Sequence, residues 1–392
     1  MAHAFFRVPD GWRLPPHAAT EACSPDDFRS RSAMTTQSTP VLLLSNRLEG
    51  GGVERHLKDL REGLAERGFR CIIAAACPSA EIAAGRNYLH LPLYRADGRS
   101  KSIGGLLRSL QRLHHLVRKE DLKLIHAHSR YAMFVAFLLR LMHPSLRPVY
   151  TVHTAFTDMR RFPFYPREVI CVSQALAEMF AKYTAASSRR RLSVVHNGMA
   201  LPPPRSSEAD TWEHDMCSFL FVGRLVEQKG LHLLLDAAAQ IKKSDRISIV
   251  IRGSGPLEQS VIEAAEASDG ILRFDGYHPD PFDDTGAFDA LLFPSLQLEG
   301  QPYVILEAYA HSMPVLSNDL PAIQELVKDR ITGRVIHSQD ADAWSAALRE
   351  AAAHPGTLNR WGSAGRSVVE QQHRLDTMLE KIAVVYRRLL ED

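Results

Sequence analysis

PVLLLSNRLEGGGVERHLKDLREGLAERG, residues 40–68, is the stretch of sequence that indicates the fold class most directly. It predicts an apolar strand over Val41–Ser45, a glycine-rich turn at Gly50-Gly51-Gly52 and a helix from Val53 to about Arg67. Apolar residues recur along that helix at helical spacing, at Val53, Leu57, Leu60 and Leu64. Gly68 suits the left-handed cap that ends a helix. A strand, a tight turn and a helix in this order predict the opening of an α/β domain.

Strand-like runs alternate with amphipathic helical stretches along the rest of the chain. In the first half we predict further strands over residues 71–76, 89–93, 122–128, 148–153, 168–173 and 193–196. In the second half we predict them over residues 219–223, 247–253, 271–276, 290–294, 314–317 and 334–336. Alternating strands and helices imply parallel sheets, whose ligands bind at the carboxyl ends of the strands. We therefore expect the chemistry in the loops after Gly52, Val222, Ile251 and Pro294.

Length and periodicity together predict two domains. A chain of 392 residues exceeds what one hydrophobic core usually organises. Periodicity is lost from Leu201 to Asp215, which is typical of a linker. We therefore predict a disordered extension over residues 1–38, a Rossmann-like doubly wound domain over 39–200, a linker over 201–215 and a second such domain over 216–392.

The composition indicates a soluble, cytoplasmic protein. Hydrophobic residues at 45% and charged residues at 23% are ordinary values for a globular chain. Five cysteines form an odd set without a CxxC pair, which favours reduced structural thiols. The N-terminal stretch has no apolar core of signal-peptide length. The longest apolar run, Tyr131 to Met142, is too short to span a membrane and contains Arg140.

The net charge of +2 conceals an asymmetry between the two halves. Residues 39–200 carry 25 Lys and Arg against 12 Asp and Glu, whereas residues 201–392 carry 18 against 29. One predicted domain is therefore basic and the other acidic, so their surface potentials should differ in sign.

Two groups of charged residues in the second half are candidates for a ligand site. Arg224 and Lys229 occupy a strand-to-helix loop before a helix that starts near Leu231, an arrangement that favours a diphosphate. The alternative is a pair of solvated surface charges. Glu299 and Glu307 follow an apolar strand and are about two helical turns apart. Carboxylates there can accept hydrogen bonds from sugar hydroxyls, although a helix cap is the alternative.

Three other patterns are weaker evidence for a ligand site. His126 and His128 alternate along a strand, but no third ligand is near in sequence, so we predict no metal there. Asp340-Ala341-Asp342 opens a late amphipathic helix, where Asp is a preferred cap, so we interpret it as structural. Gly253-Ser254-Gly255 lacks the last glycine of a nicotinamide-binding motif, because Glu258 occupies that position.

Taken together, the motifs resemble those of the retaining glycosyltransferases of the GT-B fold. The family is the family 4-like, group 1 class, which includes sucrose synthase-like enzymes and bacterial lipopolysaccharide and mannosyl transferases. The resemblance covers nearly all of residues 40–390 and implies two Rossmann-like domains that face a cleft, with the last helix packed back on the first domain. It rests on the order and spacing of these elements: Gly50-Gly51-Gly52-Val53-Glu54-Arg55, Ile125-His126-Ala127-His128, Thr151-Val152-His153-Thr154, Val172-Ser173, His196-Asn197-Gly198, Val222-Gly223-Arg224, Lys229-Gly230, Gly253-Ser254-Gly255-Pro256, and Glu299 with Glu307.

The resemblance implies a role for each charged candidate. Arg224 and Lys229 would bind the donor diphosphate and neutralise charge on the leaving nucleotide. Glu307 would hold the ribose hydroxyls, and Glu299 would contact hydroxyls of the transferred sugar. The donor would be a UDP- or GDP-sugar, and no metal or other cofactor would be required.

The resemblance also implies roles for uncharged groups. Backbone groups around Tyr303 and Val304 would reach the phosphates, and Gly51 and Gly52 would allow close backbone approach to the donor or acceptor. His153 would meet the transferred sugar near the reacting centre. One departure is that many relatives have Phe-Gly where this chain has Gln301-Pro302, and proline lacks an N–H to donate.

The function implied is retaining transfer of a hexosyl group to a saccharide or lipid-linked acceptor, in cell-surface polysaccharide or lipopolysaccharide synthesis. A nucleotide-sugar epimerase and a non-catalytic sugar-binding protein remain alternatives.

The basic first domain, which carries the acceptor in this fold, would suit an anionic acceptor or membrane surface. A helix within residues 99–119 has Ile103, Leu106, Leu107, Leu110, Leu113 and Val117 on one face, with cations beside it. It predicts either a peripheral contact with the inner face of the membrane or an ordinary surface helix. Nucleic acid is not an expected partner, because no reader motif accompanies the charge.

Overall fold

The computed structural model describes residues 38–48, 51–76, 82–83, 85, 87–93, 102–154, 164–184, 191–203, 216–297 and 299–391. The predicted extension over residues 1–38 and the predicted linker over 201–215 lie almost wholly outside these residues.

The first domain is built on a seven-stranded sheet with the order β3-β2-β1-β4-β5-β6-β7. All of its neighbouring strands pair in parallel. The strands are β1 Thr39–Leu44, β2 Phe69–Ala75, β3 Tyr88–His90, β4 Leu124–Ala127, β5 Arg147–Val152, β6 Glu168–Cys171 and β7 Arg191–Val194. The helices are α1 Gly52–Gly63, α2 Ile103–Lys119, α3 Arg130–Met142 and α4 Gln174–Thr184.

The second domain repeats this plan with a six-stranded parallel sheet in the order β10-β9-β8-β11-β12-β13. The strands are β8 Cys217–Val222, β9 Ile247–Arg252, β10 Leu272–Gly276, β11 Ala290–Phe293, β12 Val315–Asn318 and β13 Gly333–Ile336. The helices are α5 Leu231–Gln240, α6 Glu258–Ala267, α7 Tyr303–Ala310, α8 Pro321–Gln324, α9 Ala341–Ala352 and α10 Pro355–Gln372. The prediction of two doubly wound α/β domains is confirmed.

Both sheets reverse their strand order beside their first strand, at β1–β4 and at β8–β11. A crevice forms at such a switch point because the loops on its two sides run to opposite faces of the sheet. The loops after β1, β8 and β11 flank these switch points and carry the predicted site residues Gly51, Arg224, Lys229 and Glu299. The fold therefore brings those loops to the edges of the sheets where ligands bind.

The last helix, α11 Leu375–Glu391, packs on the first domain although it follows the second in sequence. Its buried side chains, among them Leu379 and Ile382, share a hydrophobic cluster with Val41 and Leu57. A Cβ on Gly63 of α1 would lie 2.1 Å from Leu379 Cδ1, so this glycine permits the two helices to pack closely. The chain crosses between the domains twice.

The two crossings lie side by side. The amide of Met199 donates to the carbonyl of His373 at 2.9 Å, and the amide of Leu375 donates back to Met199 at 3.0 Å. Gln301 joins them, because the Asn197 side-chain amide donates to its carbonyl at 2.9 Å and its own side chain accepts from the Asn197 backbone. The buried amide of Gln301 therefore ties the second domain to the crossing.

Several local predictions are confirmed and one helix is shorter than predicted. Asp340 caps α9 by accepting from the amide of Ala343 at 2.8 Å, which is the structural role expected for it. Cys71, Cys171 and Cys217 are buried free thiols. Helix α1 ends at Gly63 rather than near Arg67, because residues 65–67 form a separate 3₁₀ turn before the left-handed Gly68.

Among the described residues, no helix combines the length and hydropathy needed to cross a membrane.

Candidate active site

The two domains meet where α1 of the first faces α7 of the second. Gly51 has φ 89°, a backbone conformation that favours glycine, and Gly52 begins α1. A Cβ on Gly52 would lie 3.1 Å from Cδ2 of Tyr303, the first residue of α7. The ring of Tyr303 is buried and its hydroxyl lies 3.2 Å from His56 Nδ1. In this structure, Gly52 therefore makes room for a side chain of the opposite domain.

An ion pair closes the same interface one helical turn further along. The guanidinium of Arg55 contacts the carboxylate of Glu307 across the cleft and lies 5.6 Å from the centroid of the Tyr303 ring. Burial raises the pKa of Glu307, and the charge of Arg55 opposes that shift. Glu307 therefore remains available as an acceptor of hydrogen bonds because a cation of the other domain faces it.

Lys229 and Glu299 form a second ion pair, within the second domain. Lys229 Nζ lies 2.6 Å from Glu299 Oε1, and Ser295 Oγ donates to the same oxygen at 2.8 Å. Lys229 ends a 3₁₀ turn directly before α5, as the sequence predicted, and Gly230 after it has φ 67°. A Cβ on Gly230 would lie 2.0 Å from the carbonyl oxygen of Pro294, so glycine is required for the loop after β8 to approach the loop after β11.

Arg224 lies in a different environment from Lys229. It follows β8 directly and is exposed, and among the described residues no hydrogen-bond or ion-pair partner faces its guanidinium. Val304 is half-buried in the first turn of α7, where backbone N–H groups have no acceptors within the helix. Pro302, the residue before α7, supplies no N–H of its own.

His153 follows β5 and contacts the second domain through its backbone. Thr154 pairs with Glu299 in an antiparallel bridge, and a Cβ on Gly300 would lie 1.9 Å from the carbonyl oxygen of His153. The ring of His153 is half-buried, and its Nε2 lies 3.1 Å from His128 Nδ1. The structure thus brings His153 next to the loop that carries Glu299.

His56, His128 and His153 form a histidine cluster, with one ring nitrogen of each lying within 4.8 Å of the other two. The sequence shows no third metal ligand near His128, but the fold brings His56 and His153 next to it. The prediction of no metal at this place therefore loses its basis. His126 is not a member, since its Nδ1 lies 2.6 Å from the Tyr386 hydroxyl and its Nε2 lies 2.6 Å from Thr151 Oγ1.

Burial keeps these rings neutral. It lowers the pKa of His56 to about 4, against a smaller opposing effect of the Asn197 side chain. It lowers the pKa of His128 and of His153 well below the ordinary value, and the neighbouring imidazoles add to the shift. The first-domain side of the cleft therefore presents uncharged hydrogen-bonding groups at neutral pH.

Sequence reasoning missed Arg55, His56 and the side chain of Tyr303 as parts of the site. A signal for the first two was present, since Arg55 and His56 lie three and four residues after Gly52 and so share one face of α1 with it. Their partners lie 252 and 247 residues away in sequence, and no local pattern predicts which side chains those will be.

Comparisons with known proteins match both halves of the chain. Residues 50–201 match the family described as Glycosyltransferase Family 4, and residues 217–354 match Glycosyl transferases group 1. The O-antigen chain mannosyltransferase C of Escherichia coli is 27% identical over 368 residues, which cover 87% of this chain and 95% of that protein.

Solved structures share the fold. Sucrose-phosphate synthase from Thermosynechococcus elongatus superposes with a TM-score of 0.76 at 19% identity, over 90% of this chain and 99% of that one. Anabaena HepE in complex with UDP-glucose superposes with a TM-score of 0.74 at 17% identity, over 89% of this chain and 99% of that one. The two-domain arrangement is therefore the GT-B fold.

Proposed function

The chain belongs to the glycosyltransferases of group 1 and family 4, and from that premise we propose that it moves a sugar from a nucleotide-diphosphate sugar to a saccharide or lipid-linked acceptor. We propose hexosyl transfer with retention of the anomeric configuration. The synthesis of a cell-surface polysaccharide or lipopolysaccharide is the proposed setting, because the O-antigen mannosyltransferase matches this chain along most of its length.

The pairing of charges in the cleft carries the proposal. Lys229 and Glu299 neutralise each other at 2.6 Å, while Arg224 is exposed and faces no counter-ion within the described part of the chain. A diphosphate carries more negative charge than one carboxylate, so it displaces Glu299 from Lys229 and binds Arg224 as well. Glu299 is then free to accept hydrogen bonds from hydroxyls of the transferred sugar. The same two cations stabilise the charge that develops on the leaving nucleotide.

The remaining groups orient the donor. Glu307 accepts from the ribose hydroxyls and exchanges its contact with Arg55 for them. The first N–H groups of α7, around Tyr303 and Val304, reach the phosphates. Because burial lowers the pKa of His153, its ring is uncharged and hydrogen-bonds the sugar without attracting the diphosphate away from Lys229.

The proposed reaction uses no metal and no other cofactor. The positive charge near the leaving group comes from Arg224 and Lys229, and the Asp340 carboxylate is engaged in capping α9. The donor is a UDP- or GDP-sugar. A thermal-shift screen of both kinds of nucleotide sugar identifies it, since a bound ligand raises apparent stability by mass action.

A turnover assay separates this proposal from its alternatives. The purified chain is mixed with the selected nucleotide sugar, with and without a pool of saccharide and lipid-linked acceptors. A transferase consumes donor at a rate that rises with acceptor and yields a product of the same anomeric configuration. An epimerase changes the donor sugar without acceptor, and a non-catalytic binding protein shifts its melting temperature but consumes nothing.

We further propose that the first domain contacts anionic lipid at the inner face of the membrane. Ile103 and Leu107 of α2 are 80% and 62% exposed, and Leu141 and Met142 at the end of α3 are exposed as well. Leu113 and Val117 are buried, and Leu106 and Leu110 pack against the same core, so only Ile103 and Leu107 of the predicted apolar face are exposed. One face of α2 therefore packs in the core, and Ile103 and Leu107 on another face are exposed to solvent.

Vesicle co-sedimentation tests the lipid contact. We expect binding to anionic vesicles that weakens with salt, because exposed cations such as Arg108, Arg112 and Lys119 accompany these exposed apolar side chains. Replacing these three with Ser should reduce binding on the order of 10-fold or more. Equal binding to neutral vesicles, or none to either kind, would contradict the lipid contact and leave the transferase proposal untouched.

A further inference from the structure

The histidine cluster of His56, His128 and His153 is assembled from three separate segments, α1 and the loops after β4 and β5. The ring centroids of His56 and His153 are 4.9 Å apart, and both lie 5.4 Å from that of His128. A structural role alone requires each polar nitrogen of such buried rings to have a hydrogen-bond partner. That requirement is not met here.

The ring nitrogens of His128 show the deficit. Its Nδ1 faces His153 Nε2 at 3.1 Å, and the two nitrogens share one hydrogen bond. Its Nε2 is buried and has no hydrogen-bond partner among the described residues, although the whole residue is only 4% exposed. His56 Nε2 is likewise buried without a hydrogen bond of normal geometry, with the Asn197 side chain as its neighbour. An orphaned buried nitrogen calls for a bound water or ion.

We propose that His56, His128 and His153 form a binding site for a divalent transition-metal ion of the Zn²⁺ class, with water in its fourth position. Neutral imidazole is a preferred ligand of such ions, and three histidines with one open position form a common zinc site. Three nitrogens bound tetrahedrally at about 2.1 Å from zinc are about 3.4 Å apart. The present limit of 4.8 Å requires a closure of about 1.4 Å, which side-chain rotation supplies.

The chemistry of the cluster selects against other cations. Mg²⁺ and Ca²⁺ prefer oxygen ligands, and this cluster offers nitrogen only. His56 and His128 are buried and His153 is half-buried, so an ion would enter the cluster from the side of His153. The inference goes beyond the proposed transfer reaction. The two share His153, which is also proposed to hydrogen-bond the sugar, but ion binding can be measured without donor or acceptor.

Metal binding is measured directly on the full chain. A surface pair of histidines, His114 Nδ1 and His143 Nε2 at 2.9 Å, offers a competing site, so His143→Gln serves as the reference protein. After treatment with chelator, the reference is titrated with Co²⁺ and the visible spectrum is recorded, and Zn²⁺ is then added in competition. We expect one ion per chain, an intense spectrum of tetrahedral Co²⁺, and displacement by Zn²⁺.

Two further substitutions in the reference decide the location of the ion. His128→Gln and His56→Gln should each weaken Co²⁺ binding by at least about 10-fold, since loss of a ligand costs at least as much as loss of an outer-shell partner. Thermal melting shows which variants fold, and one folded variant is enough for the test. Binding that is unchanged in a folded variant, or no binding of Co²⁺ to the reference at micromolar concentrations, would overturn the proposal.

Discussion

The two sides of the cleft hold their polar groups in opposite ways. The second domain presents ions, with Lys229 paired to Glu299 and Arg224 exposed. The first domain presents a histidine cluster that burial keeps neutral. Ion pairs near solvent can be exchanged for a charged ligand at little cost, whereas buried neutral groups carry no charge to attract one. The difference supports the proposal that the second domain binds the charged part of the substrate and the first domain contacts its uncharged part.

The largest expected effect comes from removing the cations. Arg224→Ala and Lys229→Ala should each cost about 3 kcal/mol in activation free energy, a loss on the order of 100-fold in kcat/KM. Steady-state kinetics with the true donor measure this. Arg360→Ala, a change at an exposed arginine of α10, is the control and should be without effect. Near-normal kcat/KM in either site variant would place the diphosphate elsewhere.

Acid should lower the free energy of unfolding of this protein more than it would if its histidines were exposed. Burial lowers the pKa of His56 to about 4 from 6.5, so the unfolded chain binds more protons than the folded one between these values. The stabilisation is complete above pH 6.5 and is lost as the pH falls toward 4. For His56 alone the change amounts to about 3 kcal/mol.

Denaturant unfolding across that pH range measures the effect. His56→Gln should flatten the pH dependence of the free energy of unfolding, whereas His115→Gln, at an exposed position, should not. An identical pH dependence in His56→Gln and the unsubstituted protein would show that the pKa of this ring is the same in the folded and the unfolded chain.

A smaller effect is expected from the hydrogen bond that joins the two sides. Tyr303→Phe removes the hydroxyl that lies 3.2 Å from His56 Nδ1 and should lower the free energy of unfolding by about 1 kcal/mol. Thermal denaturation provides the measurement, with Tyr277→Phe at an exposed position as the control. A melting temperature equal to that of the control would mean that the domains are not held together by this contact.

The smallest expected effect is that of chelator, which should not lower the rate of transfer. The charge near the leaving group comes from Arg224 and Lys229, and a metal bound by the histidine cluster is not part of the proposed reaction. Initial rates with and without EDTA test this. Loss of turnover that magnesium or manganese restores would contradict both the metal-free reaction and the structural role of Asp340 and Asp342.

Local pattern predicted more of the second domain's side of the site than of the first domain's side. The loop that holds Arg224 and Lys229 follows from a strand, a glycine and a helix start within twelve residues of sequence. Its geometry depends on neighbours in the chain, which periodicity and glycine positions describe well. The histidine cluster depends instead on the register of β4 against β5 and on the angle of α1, which no short stretch encodes.

Hydropathy and glycine patterns were sufficient to predict two doubly wound α/β domains and the loops that carry charge. Hydrophobic periodicity and glycine positions act within a few residues, so they can be read along the chain. Two contacts became visible only in three dimensions: Arg55 faces Glu307, and His56 joins His128 and His153. These contacts join segments far apart in the chain, and their partners are selected by how whole sheets and helices pack, which is a property of the entire core.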